Sequence, residues 1–90
     1  MSLHDLWKSI EADLVRARGT LPLSAETDDA VRQYQEYVDN NEFELACDML
    51  AFYGQDQPVS KEFWLALRDA SLKMEQQNQA SRYEEKSESS

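Results

Sequence analysis

The sequence predicts an all-α fold, four helices in one small bundle-like domain with the third helix at its centre. Three observations carry that expectation. Leu3, Leu6, Trp7, Ile10, Leu14 and Ala17 recur at helical spacing within a sector about 100° wide, the width of a core-facing stripe. From Asn41 to Gly54, apolar side chains cover most of the helix circumference and leave only Glu44 and Asp48 as a narrow polar stripe, so a helix there has to be surrounded. Ser60, followed by Lys61 and Glu62 in a first turn and by Phe63, Leu67, Ala70 and Met74 on one face, is the clearest helix start in the chain.

Each element has its own signals. Ser2 can cap the first helix, Asp5 lies where a carboxylate meets the positive end of the dipole, and Gly19 supplies the stop. Gly19 to Ser24 is a connector, because Pro22 lacks a donor and restricts Leu21; Leu21 and Leu23 are expected to tuck against the core. A second helix is expected from Ser24, with Glu26, Asp28 and Asp29 in its first turns and Ala30, Val31, Tyr34, Tyr37 and Val38 on its apolar face. Asp39, Asn40 and Asn41 break it, and Asn41 with Glu44 reads as a variant capping box that opens helix three. Gly54 closes that helix, and Gln55 to Val59 lead to Ser60. In the fourth helix Leu65 and Leu72 stand one heptad apart on the side away from Phe63 and Leu67, a second stripe that either packs within the domain or meets a partner.

The domain is expected to span 1–78. Beyond Asn78 periodic apolar side chains give way to a polar segment, read as a frayed helix end and a disordered tail over 79–90. Ninety residues suffice for one core but leave little room for a deep, walled active site. A single cysteine cannot form an internal disulfide, and there is neither an apolar run of membrane-spanning length nor a basic-then-apolar leader. A soluble cytoplasmic protein is the expectation.

Charge is the most informative property. Eighteen acids against nine bases give a net charge of -9, which disfavours nucleic acid and anionic membranes as partners and favours cationic ones. The excess is concentrated: between Glu26 and Asp48 stand eight acids and one base, Arg32. Helix N-terminal preferences and an Asp28, Arg32, Glu36 ladder at i, i+4 spacing explain individual carboxylates. Together the acids repel one another, and solubility alone could have been met by interspersed lysines. The charge pattern therefore points to an electrostatic docking face built from Asp28, Asp29, Glu36, Asp39, Glu42, Glu44 and Asp48, with Tyr37, Tyr34 or Tyr53 as aromatic anchors at its edge.

Catalytic patterns are missing. His4 is the sole histidine, and Cys47 lies on the apolar face of helix three, where a buried inert thiol is expected. Asp39-Asn40-Asn41 begins like a calcium loop, but Glu42, Phe43 and Glu44 replace the glycine and oxygen ligands that should follow. No Glu-x-x-His pair and no glycine-rich phosphate loop occurs. Trp7, Phe43, Met49, Phe52, Phe63, Trp64 and Met74 read as core. No enzyme, no cofactor and no metal site is expected.

The run Asn41 to Leu50, then Pro58-Val59-Ser60-Lys61-Glu62-Phe63-Trp64, then Leu67, Ala70 and Met74, resembles the MafI-like immunity proteins of bacterial polymorphic toxin systems. The resemblance covers about Tyr37 to Met74. It implies a small cytoplasmic protein that binds a cognate toxin domain, commonly a nuclease, and neutralises it in the producing cell. The alternative is a helical oligomerisation or adaptor module that forms a homodimer through Leu65 and Leu72, with its acids serving solubility.

Overall fold

The computed structural model describes residues 2–89, and among them the chain forms five α-helices, one 3-10 turn and no strand. They are α1 (Leu3–Gly19), the 3-10 turn (Leu23–Thr27), α2 (Asp29–Asp39), α3 (Phe43–Asp56), α4 (Lys61–Lys73) and α5 (Gln77–Glu88). Met1 and Ser90, which belong to the expected domain and tail, lie outside the described residues.

Two expected caps form. The Ser2 hydroxyl accepts from the Asp5 N–H at 3.2 Å, and the Ser60 hydroxyl accepts from the Phe63 N–H at 3.2 Å. The second helix begins later than expected: Ser24 falls inside the 3-10 turn, and Asp28 caps α2 by accepting from the Ala30 N–H at 2.8 Å. Asp28 is extended, with φ -76° and ψ 136°, so the turn that holds Ser24 does not run on into α2. Leu21 is buried, while Leu23 is exposed.

Asn41 ends α2 instead of capping α3. Its φ is 59°, and the N–H groups of Asn41 and Glu42 return to the carbonyls of Val38 and Tyr37, a Schellman closure. Helix α3 then starts at Phe43 behind Glu42 with no side-chain cap. The same closure ends α4, where Glu75 has φ 60° and the N–H groups of Glu75 and Gln76 bond to Leu72 and Ser71. Gly54 does not stop α3, which runs on to Asp56. Its role is close packing: a Cβ there would lie 2.7 Å from a Phe63 ring carbon and 2.9 Å from the Trp64 ring.

The expected tail is a helix. Ala80, Tyr83 and Ser87 are buried, and Tyr83 stacks on Trp64 with ring centroids 5.9 Å apart. The Lys86 ammonium sits 5.2 Å above the Trp64 ring, and Arg68 pairs with Glu84 at 3.3 Å. One aromatic residue and a cation–π contact dock α5 where composition alone indicated disorder.

Nor is the third helix innermost. Helix α4 packs on α1 and α5 and also touches α3, whereas α3 packs chiefly on α2. The molecule measures 36 × 27 × 17 Å. The surface of α3 left uncovered includes Leu45 and Phe52. The arrangement is a compact five-helix globule, its core formed by Leu14, Tyr34, Leu50, Phe63 and Leu67 among others.

Candidate functional site

The acids expected to form a docking face lie on two packed helices. On α2, Asp29, Glu36 and Asp39 are exposed, and Asp39 accepts a hydrogen bond from Gln35 at 3.0 Å. Asp28 is partly buried, its side chain engaged in the cap. At the head of α3, Glu42, Glu44 and Asp48 are exposed. Tyr37 is half-buried, but Tyr34 and Tyr53 are core and cannot anchor a partner.

Charge is segregated in three dimensions. Every ion pair among the described residues joins α1, α4 and α5: Arg16 with Asp13, Glu62 and Asp69; Arg68 with Asp69 and Glu84; Lys73 with Asp13. Burial acts to raise the Asp69 pKa, yet hydrogen bonds from Arg16 and Arg68 outweigh it and hold the carboxyl below its usual range. None of these pairs uses an acid of α2 or α3, and the possible Asp28, Arg32, Glu36 ladder does not form. Asp48 is the opposite of Asp69: burial first, then the charge of Glu44, pushes its pKa up, so its negative charge is held against a penalty.

A groove of about 600 Å³ opens between the N-terminal half of α1, the head of α3 and the end of α4. Its apolar lining comes from Leu6, Trp7, Ile10, Phe43, Leu45 and Met74. Glu42, Glu44 and Glu75 supply acid, and Lys73, the one cation in the lining, is engaged by Asp13 at 2.6 Å. Both left-handed turn residues, Asn41 and Glu75, stand at this groove, so the chain turns sharply away on either side of it.

Exposed apolar residues continue out of the groove along α3. Leu45, 44% exposed, and Phe52, 57% exposed, are seven residues apart and share one face, with half-buried Met49 beside them. Glu44 and Asp48 flank that ridge. Trp7, 40% exposed, is the accessible tryptophan, whereas Trp64 is core. Phe52 and Trp7 were expected inside, because periodicity marks a face as apolar without saying whether a neighbour covers it.

Cys47 is buried, with its sulfur 3.8 Å from the Ser71 hydroxyl, and burial pushes its thiol pKa up to about 12. It is therefore protonated at neutral pH and a poor nucleophile. Among the described residues no group of three or more His, Cys, Asp and Glu side chains converges as a metal site, and no helix is long and apolar enough to cross a membrane. On α4, Leu65 is half-buried and Leu72 is 51% exposed.

Compared with family models, curated proteins and solved structures, the chain matches none of them.

Proposed function

We propose that this chain is a non-catalytic immunity protein that binds and neutralises a cognate bacterial toxin domain through the acidic surface of α2 and α3. The observation that carries the reading is the segregation of charge. Arg16, Arg68 and Lys73 pair only with acids of α1, α4 and α5, while Asp29, Glu36, Asp39, Glu42, Glu44 and Asp48 face solvent without an ion pair among the described residues, Arg32 being the one base on α2 and α3. Such a surface accelerates encounter with a basic partner and could occupy the surface with which a nuclease holds its substrate. The likeness of Tyr37 to Met74 to MafI-like immunity proteins supports the same reading, and the cytoplasm of the producing cell is where such a protein acts.

The test pairs the chain with a toxin domain encoded beside it. The triple variant Asp29→Lys, Glu36→Lys, Asp39→Lys should fold normally, associate about tenfold or more slowly at low salt, and lose most of the salt dependence of association. Unchanged binding at physiological salt would sink the proposal. A salt-independent dimer in sedimentation, broken by Leu72→Glu, would favour the oligomerisation alternative.

A further inference from the structure

The charged residues explain attraction but not the exposed apolar residues among them. Leu45 belongs both to the groove and to the outer ridge of α3, so Trp7, Leu45 and Phe52 form one discontinuous apolar track with Glu42, Glu44 and Asp48 beside it. Exposed aromatic and aliphatic side chains set among like charges are the usual composition of an interface centre with a charged rim. A second copy is a poor occupant, because it would bring another net -9 against the same acids. A membrane surface is disfavoured by the same charge.

We infer that the groove and the α3 ridge receive an amphipathic basic helix of a protein partner, its apolar face lying on Trp7, Leu45 and Phe52 and its lysines or arginines facing Glu42, Glu44 and Asp48. The charge complementarity selects the polar face of the occupant, and the spacing of Leu45 and Phe52, two helical turns apart, selects its apolar face. This inference rests on the docking reading above and moves the energetic centre of the contact from the acids of α2 to the apolar ridge of α3. The acids then govern how fast the partner arrives, and the ridge governs how long it stays.

The probe is a synthetic helix of about four turns with Leu on one face and Lys on the other, compared with a peptide of equal charge in which Ser replaces every Leu. The full-length chain should bind the Leu-bearing peptide about tenfold or more tightly, with a blue shift of tryptophan emission as Trp7 is covered. The double variant Leu45→Ser, Phe52→Ser should lose that advantage by raising the dissociation rate while keeping its helical circular dichroism, since both side chains are exposed. Equal binding of the two peptides, or binding indifferent to the double variant, overturns the inference while leaving the acidic-face reading intact. Preserved discrimination after reversal of Asp29, Glu36 and Asp39 sustains the ridge even if the acids of α2 prove dispensable. Concentration-dependent dimerisation abolished by the double variant overturns it in favour of a second copy.

Discussion

The Lys73 ammonium lies 2.6 Å from Oδ2 of Asp13, sixty residues away in sequence, and the Asp13 side chain is only 8% exposed. This contact fastens the end of α4 to the middle of α1, and Arg16 approaches the other Asp13 oxygen at 3.6 Å. Removing the ammonium would leave a carboxylate in a poorly solvated position with a single distant cation. Because Lys73 itself is partly exposed, the effect falls at the lower end for buried pairs. Lys73→Met is expected to destabilise the fold by about 2 kcal/mol. In an Asp13→Asn background the same change should cost about 1 kcal/mol less, a coupling that urea denaturation of the four-member cycle measures directly.

Gly54 and Glu75 should respond to substitution with opposite signs. Ordinarily Gly→Ala inside a helix stabilises by roughly 1 kcal/mol. At Gly54 the added methyl meets the Phe63 and Trp64 rings at 2.7 and 2.9 Å, and neither buried ring can move freely. Gly54→Ala is therefore expected to lose about 1–2 kcal/mol net. Glu75 holds φ 60° after α4, a conformation glycine adopts without strain. Glu75→Gly should gain about 0.5–1 kcal/mol, read as a rise in thermal midpoint, and no gain would mean that the glutamate is held there by a compensating contact.

Alkaline conditions should weaken the fold through buried protons. Burial raises the Cys47 thiol to about 12 and the Tyr34 hydroxyl to about 12, and it pushes Tyr83 up as well. A group whose folded pKa exceeds its unfolded value contributes stability that is complete below the unfolded pKa and is lost as pH rises towards the folded one. For the thiol this window runs from about 9 to about 12. Unfolding free energy should thus fall with pH from about 9 upwards, and Cys47→Ala should flatten the slope by up to one proton without abolishing it, because the tyrosines remain. Native protein should also resist thiol-specific reagents at pH 8, with modification appearing only in denaturant; rapid labelling of the folded state would contradict the buried geometry.

Much of the architecture was legible in residue order. The caps at Ser2 and Ser60, the end of α1 at Gly19 and the break of α2 after Asp39 are local chemistry, decided within a few residues. The concentration of acid between Glu26 and Asp48 is likewise a property of the chain before it folds. Helix α5 was missed because its docking depends on one aromatic side chain, Tyr83, meeting a Trp64 that is nineteen positions earlier and already packed edge-on against Phe63 at 5.0 Å. Polar composition describes how little a segment buries on its own, not what a neighbour offers it.

The residues that matter most for docking divide along the same line. Sequence by itself determined which helices are acidic and which positions are apolar, since both follow from side-chain chemistry and helical periodicity. Only tertiary structure decided that Arg16, Arg68 and Lys73 pair with acids of α1, α4 and α5, that Tyr34 and Tyr53 are inside, and that Leu45, Phe52 and Trp7 are outside. The reason is geometric: periodicity assigns a residue to a face of its helix, but the packing of the other helices decides whether that face is covered.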